Sequence, residues 1–245
     1  MAIITLITDF GWRDGYVGAM KGVIARLAPD ATIVDIAHDV PRGDIAHAAW
    51  VVKTATPPFP DGTIHLVVVD PGVGGARRAV VVHASADFYV GPDNGVFAYI
   101  AHVQHACELA PPAGASKTFH GRDVFAPAAA ALARGERPTG AAIALVGALP
   151  WGPRAAGAGR IVHIDHFGNL ISDLPPDETG VAIAIGGHTL PVVDTFESVE
   201  RGQLLAYVGS AGTIEIAVRD GSAASLLHAA RGLPVLPARG AGPYR

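Results

Sequence analysis

The chain has 245 residues, of which 50% are hydrophobic and 16% are charged. This composition excludes an intrinsically disordered protein and supplies enough apolar material for one large domain or two smaller ones. The 18 basic and 22 acidic residues give a formal net charge of -4. Nucleic acid is therefore not an expected partner, because no basic stripe is available to neutralise its phosphates.

Cysteine usage and hydropathy favour a protein of the cell interior. The single cysteine, Cys107, excludes a disulfide framework and a cysteine-based metal cluster. The apolar run at residues 3–7 is too short for the core of an export signal and is followed by Asp9. No apolar stretch approaches the roughly 18 residues that a membrane span needs. We therefore expect a cytoplasmic protein with no membrane partner.

Short apolar runs alternate with helix-like segments in the first part of the chain. Apolar runs of this kind are typical of buried strands in a parallel sheet. The pattern predicts strands at 3–7, 32–36, 65–69, 79–82 and 88–90, and helices at 15–27, 44–53, 95–103 and 124–134. The fold class is therefore α/β, with a layered N-terminal domain built on a largely parallel sheet.

The character of the sequence changes near residue 150, where glycines and prolines interrupt any periodic pattern. We place a linker at 151–159, between an N-terminal domain at 1–150 and a C-terminal domain at 160–245. Short apolar runs then predict strands at 160–164, 180–185, 189–191, 204–208 and 213–218, and a helix at 223–230. This pattern is typical of a small β-rich domain.

Two acidic residues directly follow predicted strands of the N-terminal domain. Asp9 comes after the run at 3–7, and Asp70 comes after the run at 65–69. Ligand groups gather beyond the carboxyl ends of parallel strands, so both residues are candidates for a site. Asp9 suits the two hydroxyls of a ribose. The alternative is that Asp9 or Asp14 only stabilises the start of the following helix.

A glycine-rich turn follows Asp70. Pro71 and the glycines after it build a tight, accessible turn that would let Arg77 meet Asp70. The alternative is a β-turn with a surface ion pair of little energetic value. The segment is not a phosphate-binding loop, because the Lys-Ser/Thr ending of such loops is missing.

A polar segment precedes the predicted helix at 124–134. Asp123 is a candidate N-cap of that helix, with Arg122 as its ion-pair partner. His120 can act as an acid or a base near neutral pH, or it can be a hydrogen-bonded loop histidine without chemistry. Each of these signals alone fits many folds, so none of them decides a function.

Together with one motif from the second domain, these segments resemble a single family. The motifs are TDFG at 8–11, VDPGVG at 69–74, FHGRDVFAP at 119–127 and IDHFGN at 164–169. They resemble the S-adenosyl-L-methionine (SAM) hydroxide adenosyltransferases, or SAM hydrolases, which are relatives of the SAM-dependent chlorinase and fluorinase. The resemblance covers nearly the whole chain. It implies an α/β domain, a small β-barrel-like domain and a homotrimer with active sites at subunit interfaces.

The resemblance also implies a reaction and a set of site residues. The reaction is hydrolysis of SAM to adenosine and L-methionine by water that attacks the C5′ carbon of the ribose. Asp70, Arg77 and His120 match the family's water-activating triad. The residues implied for the substrate are Asp9 at the ribose hydroxyls, Phe167 and Asn169 at the adenosine, Glu215 and Val218 near the adenine, and Asp14, Asp165 and Ser210 at the methionine end.

The chemistry of SAM explains these residue types. Its sulfonium makes methionine a neutral leaving group that needs no general acid. What is missing is a good nucleophile, so the arginine would orient water while the carboxylate and imidazole receive or relay its proton. SAM is the substrate, and no cofactor or metal is expected. His38, Asp39 and His47 lack the spacing of a known metal-ligand motif.

Two other functions stay open, a SAM-dependent halogenase and a SAM- or adenosine-binding protein without catalysis. A carboxylate about 4 Å from a chloride would repel it by roughly 4 kcal/mol at an effective dielectric constant of 20. In the halogenase branch of the family the positions of Asp70 and His120 hold other residues. The fluorinase insertion is also absent here, because only residues 83–87 join the strands predicted at 79–82 and 88–90. Hydrolysis is therefore favoured over halogenation.

Overall fold

The N-terminal unit, Met1–Pro150, is built on a six-stranded sheet with the order β2-β1-β3-β5-β4-β6. The structure is a computed structural model that describes residues 1–138 and 140–238. The strands β2, β1, β3 and β5 run parallel, and β4 pairs antiparallel with β5 and β6. The α/β class with a largely parallel sheet is confirmed. The strands are β1 (Ile3–Thr8), β2 (Thr32–Ala37), β3 (Ile64–Val68), β4 (Ala79–Ala84), β5 (Asp87–Pro92) and β6 (Val103–Leu109).

Helices cover both faces of this sheet. They are α1 (Tyr16–Leu27), α2 (Ile45–Ala55) and α3 (Ala126–Ala133). Alternate residues of β3 point to opposite faces, so Leu66 packs with α1 and α3 while Val67 packs with α2. The central strands are therefore buried on both sides, as their continuous apolar runs require. No helix within residues 1–138 and 140–238 is long and apolar enough to cross a membrane.

The helix predicted at 95–103 is wrong. The chain forms turns there and then enters β6. The backbone of Gly95 explains the difference, because its φ of +113° is incompatible with a helix. The Asn94 side chain holds this turn: its NH₂ donates to the Val69 carbonyl at 2.9 Å, and its oxygen accepts from the Val96 amide at 3.3 Å. Val96 and Phe97 are buried by these turns, so apolar spacing suggested a helix where the chain is irregular.

The second unit, which begins at Trp151, forms a closed barrel of seven strands. The order of the strands around the barrel is β10-β11-β12-β8-β7-β13-β9, and β9 pairs with β10 to close it. Inward-facing Leu170, Ile183, Ile216 and Val235 form its core. The predicted barrel-like C-terminal domain is confirmed. The strands are β7 (Gly159–Ile164), β8 (Leu170–Ser172), β9 (Ala182–Ile185), β10 (His188–Val193), β11 (Leu204–Val208), β12 (Ile214–Val218) and β13 (Pro234–Ala238).

The prediction missed β8 and β13, and it made the final helix too long. β8 has three residues, and β13 contains two prolines that read as turn signals. The predicted helix at 223–230 is reduced to α4 (Ala223–Leu226), which Ser222 caps. The chain leaves the helical conformation at His228, whose φ is +46°. The end of the predicted domain, 239–245, lies outside the described residues.

Candidate active site

Asp9 and Asp70 lie at one edge of the N-terminal sheet. They follow the adjacent parallel strands β1 and β3, whose last residues Thr8 and Val68 are register partners. This is the arrangement that the sequence predicted from the strand ends. The Asp9 carboxylate accepts a hydrogen bond from the Gly43 amide at 2.8 Å. Asp9 therefore holds the chain after β2 beside its own strand, with acceptor capacity left for a ligand.

The helix-capping alternatives for Asp9 and Asp14 are wrong. The N-cap of α1 is Gly15, and no side chain supplies a capping hydrogen bond there. The Asp9 carboxylate binds Gly43 instead, and Asp14 is exposed. Neither carboxylate caps α1.

Asp70 and Arg77 form a buried, bidentate ion pair. The Arg77 Nε donates to Asp70 Oδ1 at 2.8 Å and to Oδ2 at 3.0 Å, and a terminal guanidinium nitrogen also donates to Oδ2. The side chains of Asp70 and Arg77 are only 4% and 10% exposed. The alternative of a surface ion pair is therefore wrong, and the geometry is the fork that guanidinium and carboxylate favour.

His120 extends this pair into a chain of three groups. The same terminal nitrogen of Arg77 lies 2.9 Å from His120 Nδ1. A guanidinium only donates hydrogen bonds, so Nδ1 must accept and the ring hydrogen must lie on Nε2. Burial, together with the Arg77 charge, lowers the pKa of His120 below 6.5, while Asp70 and Asp123 oppose this shift. His120 is therefore a neutral imidazole at neutral pH.

Direct packing between two loops brings Arg77 and His120 together. Gly74 has φ +73°, and a Cβ at that position would lie 2.2 Å from the Lys117 carbonyl oxygen. A side chain here is excluded, so the glycine lets the loop after β3 touch the loop before His120. The Arg77 guanidinium also lies 5.3 Å from the centre of the buried Phe125 ring.

The N-cap predicted at Asp123 is wrong. The helical region begins earlier, with a π-helical turn at Gly121–Phe125 that leads into α3. Asp123 instead accepts from the Ser116 amide at 2.9 Å and from the Arg122 Nε at 2.6 Å, so the predicted ion pair with Arg122 is confirmed. The Arg122 hydrogen bond lowers the pKa of Asp123 to about 2. This pair fixes the loop that carries His120.

The second unit contains a cleft of about 570 Å³ that gathers most of the remaining predicted residues. Ser210 is the exception in this unit, since it lies in the exposed turn after β11. The sequence did not single out the other lining residues; the one available signal was an aromatic residue, Tyr207, in a predicted strand. The lining consists of the predicted Asp165, Phe167, Asn169, Glu215 and Val218, joined by Phe196, Tyr207, Asp220 and Gly221.

Asp165 organises the loop between β7 and β8. One carboxylate oxygen accepts from the amides of Phe167 and Asn169, each at 2.9 Å, and the other accepts from the Asn169 side-chain amide at 2.8 Å. This arrangement presents the Phe167 ring at the surface, where the residue is 74% exposed. It also leaves the Asn169 side-chain oxygen as an acceptor. An exposed aromatic ring beside a fixed amide can stack on and hydrogen-bond to a planar ligand.

Glu215 is a buried acid in this cleft. Only 9% of the residue is exposed, and burial raises the pKa of its carboxyl group above the usual 4.5. The Tyr207 hydroxyl donates to Glu215 Oε2 at 2.7 Å, which partly opposes that shift. Burial and the carboxylate together raise the pKa of Tyr207. Tyr207 is therefore a protonated donor throughout the physiological pH range.

A metal site does not form among the described residues. Within residues 1–138 and 140–238, no group of three or more His, Cys, Asp and Glu residues is placed to hold a metal ion. Both ring nitrogens of His38 are engaged, one with the Thr8 hydroxyl at 2.7 Å and the other with Asp35 at 2.9 Å. The expectation that no metal or cofactor takes part stays a prediction.

Two family models match the chain in the order of its two units. They describe the SAM hydroxide adenosyltransferase N-terminal domain, which matches residues 4–142, and the C-terminal domain, which matches residues 159–236. The chain belongs to the SAM hydroxide adenosyltransferase family.

Relatives of this chain include proteins named (R)-S-adenosyl-L-methionine hydrolase. The one from Thermus thermophilus is 40% identical over 96% of this chain and 99% of its own. The one from Salinispora tropica is also 40% identical, over 91% of this chain and 93% of its own. A crystal structure of an uncharacterized conserved protein from Thermotoga maritima has a TM-score of 0.85 and 34% identity, covering 95% of this chain and 98% of that one.

Fluorinases are more distant relatives of this chain. The one from an Actinoplanes strain is 26% identical over 88% of this chain and 90% of its own. In the structure, β4 ends at Ala84 and β5 begins at Asp87, so only Ser85 and Ala86 connect the two strands. The predicted absence of an inserted segment at this point is confirmed.

Proposed function

We propose that this protein hydrolyses SAM to adenosine and L-methionine, and that Asp70, Arg77 and His120 activate the attacking water. The observation that carries the proposal is the buried chain of hydrogen bonds from Asp70 through Arg77 to His120. Family membership and the names of the hydrolase relatives support the choice of substrate.

The proposed reaction requires a base but no acid. The water oxygen forms a bond to C5′ of the ribose, and the bond between C5′ and sulfur breaks. The electron pair of that bond stays on sulfur, which becomes the neutral thioether of methionine. The attacking water loses one proton as it becomes the 5′-hydroxyl of adenosine. The protein must therefore hold the water and accept one proton.

The hydrogen bonds favour Asp70 as the acceptor of that proton. A carboxylate has about four lone-pair sites, so an acceptor site remains after the bonds from Arg77 are made. His120 Nδ1 is engaged by Arg77, which leaves Nε2–H as a donor toward the water oxygen. Arg77 fixes both neighbours and supplies positive charge near the attacking oxygen. Asp70 thus serves as base, and His120 and Arg77 orient the water.

Substrate binding is proposed to involve residues of both units. Asp9 would hold the ribose hydroxyls, and Asp14 the methionine end. The cleft of the second unit supports a nucleoside-binding role, with Phe167 stacking on the base and Asn169 contacting the adenosine. Glu215 and Val218 would lie near the adenine, and Asp165 and Ser210 toward the methionine end. The Asp165 carboxylate already accepts three hydrogen bonds from its own loop, so it acts chiefly on that loop.

We further propose that the protein is a cytoplasmic homotrimer with active sites at its subunit interfaces. Sedimentation at low micromolar concentration is expected to give about 75 kDa, three times the chain mass of 25.1 kDa. A mass of one chain across the whole concentration range would contradict the trimer. The catalytic proposal does not depend on that result, since it rests on contacts within one chain.

The rate is expected to fall on acidification as His120 becomes protonated. Protonated Nδ1 cannot accept from Arg77, so the chain of three groups breaks. Because the pKa of His120 is lowered, the neutral form persists below 6.5, and the acidic limb of kcat should have its midpoint below that value. The measurement is kcat between about pH 5 and pH 8. A midpoint above 6.5, or an unchanged limb in His120→Asn, would rule out this assignment.

Chloride is expected to leave the reaction unchanged. The buried Asp70 carboxylate lies beside the position proposed for the attacking nucleophile. A halide at that position would be repelled by its negative charge. With SAM and a large excess of chloride, chromatography should show adenosine and no 5′-chloro-5′-deoxyadenosine. Formation of the chlorinated product would support the halogenase alternative. Stoichiometric adenosine binding without turnover would support the alternative of a binding protein.

A further inference from the structure

Two residues that line the cleft of the second unit, Asn169 and Glu215, each keep a hydrogen-bond acceptor. The Asn169 side-chain NH₂ must point to Asp165, because a carboxylate only accepts, and so the Asn169 oxygen is turned to the other side. The second acceptor belongs to Glu215. Its Oε2 is occupied by the Tyr207 hydroxyl, whereas its Oε1 accepts no hydrogen bond from the described part of the chain.

Tyr207 and Glu215 are held in register by the barrel itself. They are directly opposed on the antiparallel strands β11 and β12, so their side chains lie on the same face. Gly209 packs against the free oxygen of the acid, since a Cβ there would lie 1.9 Å from Glu215 Oε1. The close packing leaves the carboxylate little freedom to rotate, and the Tyr207 bond decides which oxygen remains available.

The remaining lining makes the cleft aromatic and rich in acceptors. Phe167, Phe196 and Tyr207 supply rings, and no lysine or arginine of the described chain lines the cleft. Besides Asp165 and Glu215, the cleft is lined by one more acidic residue, Asp220. Its Oδ2 lies 3.1 Å from the Nε of Arg201 in an exposed ion pair. A planar group with N–H donors on its edge fits this lining, whereas a group that presents a carbonyl oxygen does not.

We propose that Tyr207 is a positioning residue that orients Glu215 as an acceptor, so that the cleft selects a 6-aminopurine nucleoside over its 6-oxo analogue. This inference rests on the proposed function, which supplies the nucleoside. The exocyclic amine of adenine carries two N–H donors, enough for both Asn169 and Glu215. A 6-oxo group would set an oxygen against these acceptors and leave them unpaired.

The test compares the affinities of adenosine and inosine for the full-length protein by calorimetry. The wild type should bind adenosine roughly 10- to 100-fold more tightly, the factor expected when a buried acceptor loses its partner. In Glu215→Gln, Tyr207 donates to the amide oxygen and turns the amide NH₂ toward the cleft. The preference should then shift toward inosine. In Glu215→Gln with Tyr207→Phe, no hydroxyl selects which end of the amide is turned toward the cleft, and the shift should disappear.

Matched controls separate orientation from damage to the barrel. Glu197→Gln makes the same change at an exposed position of the same unit and should leave the affinity ratio unchanged. N6,N6-dimethyladenosine lacks the N–H donors, so it should bind the unmodified protein as weakly as inosine does, even if the Glu215 variant fails to fold. Tyr207→Phe alone should raise KM for SAM with little change in kcat.

The outcomes distinguish this inference from the proposed function. Equal binding of adenosine and inosine by the wild type would overturn the inference while leaving SAM turnover intact. An unchanged preference in Glu215→Gln would also overturn it. Selective adenosine binding without turnover of SAM would instead contradict the proposed function and support the inference.

Discussion

Asp70→Asn is expected to lower kcat for SAM by about 10²- to 10⁴-fold, the usual contribution of a general base. An amide cannot accept the proton that the attacking water must lose. The asparagine NH₂ would also face the guanidinium of Arg77, which now donates to both carboxylate oxygens. Steady-state turnover, with adenosine affinity measured in parallel, checks this prediction, and the affinity should change little.

Asp93→Asn is the matched control for that variant. Asp93 is also a buried acid paired with an arginine, Arg78, but it anchors the backbone amides of Val146 and Gly147 and has no proposed role in the reaction. Its loss is expected to reduce stability with little effect on kcat. If Asp70→Asn keeps a rate within a few-fold of the wild type, Asp70 is not the base. If both variants lose activity equally, the effect is structural.

Phe125→Ala is expected to lower the free energy of unfolding by about 3–5 kcal/mol, the usual cost of truncating a buried phenylalanine. The Phe125 ring is fully buried in the core between the sheet and the helices α1 and α3. Its face also lies under the Arg77 guanidinium. The variant should therefore lose activity even where it remains folded. Urea unfolding of the full-length protein measures the loss of stability. Turnover at urea concentrations below the unfolding transition measures the loss of activity.

Phe167→Ala provides the comparison for the stability measurement. This phenylalanine is 74% exposed, so its truncation should change the free energy of unfolding by no more than about 0.5 kcal/mol. A small stability change in Phe125→Ala would show that the core can collapse around the cavity. Full activity in that variant would show that the ring does not position Arg77.

The parts of the fold that could be predicted from the sequence are those with local signals. The apolar runs of β1 and β3 marked buried parallel strands, and so Asp9 and Asp70 could be placed at one sheet edge. The meeting of Arg77 with His120 could not be derived from spacing. It depends on the contact of Gly74 with the Lys117 carbonyl, which joins two loops far apart in the sequence. Only the family resemblance linked the three residues beforehand.

In the cleft of the second unit, too, only the residues that carry a local sequence signal could be predicted. The motif at 164–169 identified Phe167 and Asn169, but the partnership of Tyr207 with Glu215 depends on the register of β11 and β12. Register across a hairpin is not visible in the composition of either strand. The N-cap prediction at Asp123 fails because capping preference is read from local sequence alone. In the structure a π-helical turn already begins at Gly121, before Asp123.

Hydrolysis in H₂¹⁸O tests the central claim most directly. The purified full-length protein is incubated with SAM, the products are separated by chromatography, and their masses are determined by mass spectrometry. Attack of activated water on C5′ predicts adenosine and methionine in equal amounts, with one ¹⁸O in the 5′-hydroxyl of adenosine and none in methionine. Adenosine no faster than in the protein-free control, or adenosine without the label, would contradict the account.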